Sequence, residues 1–228
     1  MGRKPNQLRR LCLLFTLTIT LYQQAMASAT GISHFYVTDQ LSSNLITSVC
    51  QDSQGFIWIS TEYGLNRFDG IHSTSFYADD ESAQPLLNNN IRKVICDNDG
   101  RVWVLSFKGL QCFDQLSNSF PAVHIDGIDH TFPTDMIVMR DGRLLLLTTD
   151  RGLSFVDTGK MISEQWTDAN KLYTDETATC MFEDSRGRIW ICSDKSGLTQ
   201  LDIKASQSIH FDRSQLFSNG TNDVCEDG

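Results

Sequence analysis

Asp52-Ser53-Gln54-Gly55-Phe56-Ile57-Trp58 decides how this chain is read, because the pattern comes back. It returns as Asp97-Asn98-Asp99-Gly100-Arg101-Val102-Trp103 and as Asp184-Ser185-Arg186-Gly187-Arg188-Ile189-Trp190. A degraded copy, Met139-Arg140-Asp141-Gly142-Arg143-Leu144-Leu145, lies between the last two. Asp accepts hydrogen bonds from backbone two residues on and Gly takes positive φ, so Asp-x-x-Gly closes a tight hairpin. A second marker, Gly-Leu-x-x-φ-Asp, follows each copy, from Gly64 to Asp69, Gly109 to Asp114, Gly152 to Asp157 and Gly197 to Asp202. The first glycine precedes the second by 9, 9, 10 and 10 residues, and the turn glycines are separated by 45, 42 and 45. Two markers at such regular offsets, four times over, make an internal repeat.

Each unit reads as four short strands rich in β-branched and aromatic residues, bounded by Gly, Asn or Asp. In the first unit these are Ile46–Gln51, Phe56–Thr61, Leu65–Asp69 and Thr74–Tyr77. No segment sustains a 3.6-residue period, so helix is expected to be nearly absent. Four strands per unit of about 45 residues is the pattern of a β-propeller blade. The fold expected is all-β: blades near 41–79, 86–125, 132–167 and 175–211, with a fifth beginning at 216–228. A lone blade cannot bury both faces, so neighbours must pack face to face. Trp58, Trp103 and Trp190 hold equivalent positions and are read as packing between blades. Leu145 stands at that position in the third copy, which suits packing better than sugar stacking.

Residues 1–27 look like an export signal. Arg3, Lys4, Arg9 and Arg10 form a basic start, Leu11–Tyr22 an apolar run, and Ala25-Met26-Ala27 the small-x-small cleavage pattern. The apolar run is too short for a membrane-spanning helix. The 228-residue chain has a net charge of −9, and without the four basic residues of the signal it would stand at −13. That surface repels phosphate backbones and anionic lipid, which argues against nucleic-acid or membrane-surface binding and for a neutral or cationic ligand. Cys50, Cys96, Cys112, Cys180, Cys192 and Cys225 sit among apolar residues and are read as small core side chains. Export would also permit disulfides. The five histidines show no ligand spacing, and Asp97-Asn98-Asp99-Gly100 lacks the later Glu of a calcium loop, so no metal or cofactor is expected.

The run Leu41–Gly70 resembles a two-component regulator propeller repeat, and Leu87–Asp114 and Thr177–Asp202 resemble further copies. The third copy departs from the pattern at Met139 and Leu145, which puts its turn geometry in question more than its membership. The resemblance implies the periplasmic sensor region of a hybrid two-component protein. Its parent would be anchored in the inner membrane, capable of homodimerising, and would carry further propeller, immunoglobulin-like, histidine kinase, receiver and DNA-binding parts. It also implies a response to oligosaccharides.

Two alternatives come from other classes. A propeller enzyme acting on glycans would need converging carboxylates, whereas the recurring Asp residues here fall at turn and strand-end positions. The chain itself is therefore expected to catalyse nothing, kinase chemistry included. A ligand-free interaction scaffold is the second alternative. No ligand-binding residue is singled out; the longer loops Ala78–Asn90 and Pro121–Pro133 are where contacts are expected. Asp223-Val224-Cys225-Glu226-Asp227 repeats Ser48-Val49-Cys50-Gln51-Asp52, and His34-Phe35-Tyr36-Val37 resembles an outermost strand. From these the chain is expected to be the N-terminal part of a larger ring, an open arc prone to self-association through its uncovered faces.

Overall fold

The computed structural model describes residues 41–125, 132–149, 151–173, 175, 177–218 and 220–227. The export segment 1–27 and the strand-like His34–Val37 lie outside the described residues. Four antiparallel sheets follow one another along the chain. The first comprises β1 (Ile46–Gln51), β2 (Ile57–Thr61), β3 (Gly64–Phe68) and β4 (Ser73–Phe76). The second holds β5 (Ile91–Cys96), β6 (Val102–Ser106) and β7 (Gly109–Cys112). The third holds β8 (Pro133–Val138), β9 (Leu144–Thr148), β10 (Gly152–Asp157) and β11 (Ile162–Gln165). The fourth holds β12 (Ala178–Glu183), β13 (Ile189–Ser193), β14 (Gly197–Asp202) and β15 (Gln207–Phe211). A four-residue helix, α1 (Thr167–Asn170), joins the third sheet to the fourth.

Every sheet is an up-and-down meander in sequence order. Innermost strands β1, β5, β8 and β12 contact one another in series, which stacks the sheets as propeller blades. An antiparallel meander has two ends. The hairpin face holds the turns repeating the first marker, and the crossover face holds the turns before β3, β7, β10 and β14 together with the blade-to-blade connections.

Three apolar cores fill the three interfaces. Trp58, Leu65, Val94, Val102 and Val104 lie between the first two blades. Trp103, Leu105, Met136, Leu144 and Leu146 lie between the second and third. Leu145, Leu147, Met181, Ile189 and Ile191 lie between the third and fourth. Alternate residues of β6 and β9 thus enter opposite cores, and both strands are buried throughout. That is why they read as unbroken apolar runs, VWVLS and LLLLT. Trp58 and Trp103 are 1% and 0% exposed, as packing between blades requires. Trp190 is only half-buried, because a cavity of about 210 Å3 separates it from Val224, Cys225 and Glu226.

Polar clasps link the innermost strands. Ser48 Oγ accepts the Val94 N–H at 2.7 Å, and Asp135 Oδ2, at the equivalent place in the third blade, accepts the Met181 N–H at 2.8 Å. Lys93 holds that place in the second blade; having nothing to accept with, it reaches forward to Asp135 Oδ1 at 2.7 Å.

The repeated turn shows what its acid does. Asp52 Oδ1 accepts the N–H groups of Gln54 and Phe56, both at 3.0 Å, and Oδ2 accepts the Trp58 indole N–H at 2.8 Å. Asp97 holds Trp103 at 2.8 Å and Asp184 holds Trp190 at 2.9 Å in the same way. In the third copy Met139 and Leu145 replace both partners, yet the turn survives. Met139 N–H bonds the Arg143 carbonyl and Gly142 N–H bonds the Met139 carbonyl, both at 2.8 Å, matching the intact copies. The expected disturbance of this turn is therefore absent: its backbone bonds and Gly142, at φ 85°, suffice.

The second blade corrects the expectation of four regular strands. Its outer edge bonds to β7 through Cys112 N–H to Pro121 O and Val123 N–H to Leu110 O. Pro121 has no N–H to return, so only isolated bridges form, Gln111 with Ala122 and Asp114 with Ser119. The cysteines are also less uniform than expected. Cys112 and Cys192 are buried, Cys50, Cys96 and Cys180 half-buried and Cys225 exposed, all as free thiols. Cys50 and Cys96 place their sulfurs 2.8 Å apart between the first two blades.

Two outcomes follow. Asp97→Met alone strands a buried indole N–H, and Trp103→Leu alone leaves Asp97 Oδ2 with only a 3.5 Å contact to Arg101 in place of the indole. The pair together recreates the Met139/Leu145 arrangement, so a double-mutant cycle in denaturant is expected to show a favourable coupling of about 1–3 kcal/mol. Strict additivity would refute it. Burial opposes charge on Asp184, but hydrogen bonds from Trp190, Arg188 and Arg186 outweigh it and hold the carboxyl at about 2. An unfolded Asp titrates near 3.9, so this stabilisation is complete above that pH and is lost as pH falls towards 2. Asp184→Asn is expected to flatten that stretch of the stability–pH curve.

Candidate functional site

The crossover face of the interface between the third and fourth blades differs from its counterparts. In the first blade Asn66, fully buried, latches the connection that enters it. Ser42 N–H donates to its Oδ1 at 2.9 Å and its amide nitrogen donates to Ser42 Oγ at 2.8 Å. Gln111 holds the same strand position in the second blade. It accepts the Leu87 N–H at 2.8 Å and donates to Pro85 O at 2.9 Å. Thr199 holds that position in the fourth blade and carries no amide. Its hydroxyl shares a 3.1 Å hydrogen bond with His210 Nδ1.

Where the latch is missing there is a cavity of about 510 Å3, lined by Leu172, Tyr173, Asp175, Thr177, Ser196, Thr199, Ser208 and His210. Its floor carries a second departure. Leu41 and Leu86, 7% and 2% exposed, plug the first two blades at the place that Tyr173 occupies here. Tyr173 is as buried as they are, at 5%, but brings a hydroxyl with no hydrogen-bond partner among the described residues. Burial, reinforced by the nearby Asp175, pushes this phenol well above its ordinary value, so it stays a neutral donor. Asp175 is its complement. Partial burial opposes its charge, yet hydrogen bonds from Thr177, Ser193 and Ser196 hold the carboxyl below the usual range. Thr177 supplies both its N–H at 2.8 Å and its hydroxyl at 2.7 Å.

The site thus offers a fixed ionised acceptor, an idle buried donor, and hydroxyl and imidazole groups that both donate and accept. That set fits a ligand of hydroxyl groups at fixed spacing, and the volume lies within the range of small-ligand pockets.

The loops expected to make contacts are partly tied into the fold, with Asp79, Glu81, Ala83 and Gln84 left exposed. Ala78–Asn90 joins the first two blades and bonds to both: Leu86 lies in the core between them, Gln84 O accepts the Phe120 N–H at 2.8 Å, and Asn89 O accepts the Gly64 N–H at 2.7 Å. Of Pro121–Pro133, Val123 and Ile125 pack in the core and residues 126–131 lie outside the described residues. The recurring carboxylates of the second marker cap turns. Asp69 Oδ1 accepts the N–H groups of Ile71 and His72 at 2.8 and 2.6 Å, and Asp157 Oδ1 those of Gly159 and Lys160 at 3.0 Å. No group of three metal-ligating side chains occurs among the described residues. None of their helices is long and apolar enough to cross a membrane.

Residues 40–63, 85–108 and 173–195 match the two-component regulator propeller family. The matched segments run through the innermost strand and the repeated turn of the first, second and fourth blades; the third, with Met139 and Leu145, is unmatched. No curated protein sequence matches the chain. The extracellular domain of the hybrid two component system BT3049 from B. thetaiotaomicron superposes with a TM-score of 0.68 at 24% identity, over 78% of this chain and 26% of that one. The corresponding domain of BT4673 gives 0.63 at 19%, over 73% and 25%. Virginiamycin B lyase from Staphylococcus aureus gives 0.57 at 9%, over 73% and 55%. The chain spans about a quarter of the two extracellular domains, and at these identities the likeness is one of fold.

Removing the idle hydroxyl should help the free protein. Tyr173→Phe is expected to raise unfolding stability by roughly 1 kcal/mol, since a buried hydroxyl without a partner costs about that much. A loss of stability in thermal melts would show that the hydroxyl is already satisfied.

Proposed function

From a chain built of two-component regulator propeller repeats, we propose the ligand-sensing part of a signal-transduction protein, working outside the cytoplasm and binding oligosaccharides. The observation that carries the ligand side is the crossover-face cavity, where a buried phenol lacks a partner beside an ionised carboxylate. A protein keeping such a group unsatisfied forgoes stability in the free state and gains on binding. Carbohydrate hydroxyls, each both donor and acceptor, complement Tyr173, Asp175, Thr199 and His210. The extracellular domains of hybrid two component systems with the same fold support a place outside the cytoplasm, as does the export-like sequence at 1–27.

The chain is proposed to bind without converting. The carboxylates that recur at both markers are tied into turns, and among the described residues Asp175 is the one carboxylate in the cavity lining, where a glycosidase would require a pair. Signal output, including any phosphotransfer, is assigned to other parts of a sensor protein.

Titration calorimetry of the chain against a panel of neutral oligosaccharides tests this. At least one member is expected to bind and to be recovered unchanged. Tyr173→Phe and Thr199→Val should each weaken it about tenfold, or about 1.4 kcal/mol. A panel without a binder, or affinity indifferent to Tyr173→Phe, would overturn the reading.

A further inference from the structure

The hairpin-face clefts between blades are built from equivalent positions and can be compared residue by residue. Between the first and second blades, Gln54 and Gln115 exchange amide hydrogen bonds of 2.7 and 3.0 Å across the mouth. About 60 Å3 remains beneath them. Between the third and fourth blades these places are held by Asp141 and Ile203, which cannot pair, and the cleft opens to about 540 Å3.

Its charge also departs from the rest of the chain. Position 139, an acid in the other three turns, is Met. Arg140, Arg186 and Lys204 line the opening; all three are exposed, and none forms an ion pair among the described residues. A fourth cation, Arg143, is already taken, paired with Asp141 at 2.6 Å and lying 3.9 Å over the Phe155 ring. Glu183, the other acid of the lining, accepts the Arg140 backbone N–H at 2.6 Å. Four cations thus face the two acids of the lining and Glu226 on a chain of net charge −9. Hydrogen bonds from Ser185 and the charge of Arg140 hold the Glu226 carboxyl low. Trp166, packed on Phe155 at 4.6 Å between centroids, supplies an aromatic wall.

We infer that this cleft binds an anionic saccharide, a short sugar carrying a carboxylate or sulfate. The anion sits among Arg140, Arg186 and Lys204, and a sugar ring lies against Trp166. Guanidinium groups pair with carboxylate and sulfate oxygens through parallel N–H donors, which favours such anions over diffuse charge. The surrounding acidic surface repels any polyanion that extends beyond the cleft, so the site selects a short ligand and not a nucleic acid. The volume suits one or two sugar rings. This site lies at the opposite end of the same interface from the crossover-face cavity and stands whether or not neutral oligosaccharides bind there.

The test is calorimetry on the full chain with three disaccharides of one skeleton: neutral, with a uronic acid, and sulfated. At least one anionic form is expected to bind ten times more tightly than the neutral one and to weaken as salt is raised. The better of the two identifies the anion. Arg140→Ala and Arg186→Ala, both exposed and harmless to folding, should each reduce that affinity about tenfold. Tyr173→Phe should leave it unchanged. Equal affinity for all three sugars, no binding of either anionic form, or indifference to both arginine substitutions would overturn the inference.

Discussion

The hydrogen bond from a turn carboxylate to an interface indole is the contact on which this architecture depends. One oxygen of Asp52, Asp97 or Asp184 organises the hairpin backbone, and the other fixes a tryptophan six residues on. Local turn geometry and interblade packing are thereby set by one side chain. The indole can be buried at Trp58 and Trp103 because its only polar atom is satisfied from within its own blade. The next blade then needs to offer nothing but shape, which lets unlike neighbours stack. The third blade shows the same logic by exception: Leu145 and Met139 remove donor and acceptor together, and both side chains stay buried without either.

The sequence made blades legible because the markers sit where backbone demands are strictest. Gly197 illustrates it: at φ 94°, a Cβ there would run into the Phe211 carbonyl. Strand positions followed from those markers, and β1 falls at Ile46–Gln51 as read. What was illegible depended on partners distant in sequence. The broken outer edge of the second blade comes from Pro121 meeting Cys112. The latch by Asn66 and Gln111 has no local pattern, since an amide in a strand looks like any polar residue. Only the length of the Ala78–Asn90 loop is visible in sequence; that Gln84 and Asn89 carbonyls and Leu86 tie it to both of the first two blades is not.

Tyr173 could have been noticed. It aligns with Leu41 and Leu86 five residues before each innermost strand, and a tyrosine at a plug position asks where its hydroxyl goes. Net charge misled in another way. Summed over the chain it is −9, yet the departures from the repeat at 139, 141 and 203 collect the unpaired cations in one cleft. An average over a surface carries no information about a concavity a few side chains wide, where nearby charges dominate.

Both candidate sites lie in one interface, and the repeat explains why. Between the first and second blades polar groups meet across the seam: Ser48 accepts from Val94, and Gln54 pairs with Gln115. The mouth closed by the two glutamines leaves only about 60 Å3 beneath it. Between the third and fourth blades the connection passes through α1, whose Asn170 is spent on Leu153 N–H at 2.8 Å within the third blade. The third blade has also lost its turn acid, and the fourth its latching amide. Space and unmatched groups therefore accumulate together, at both ends of the same seam. In a quasi-symmetric stack, identical contacts supply the rigidity, and a ligand can compete only where a contact has been given up. Function in such a fold is sought at the positions where a copy breaks the pattern that the others keep.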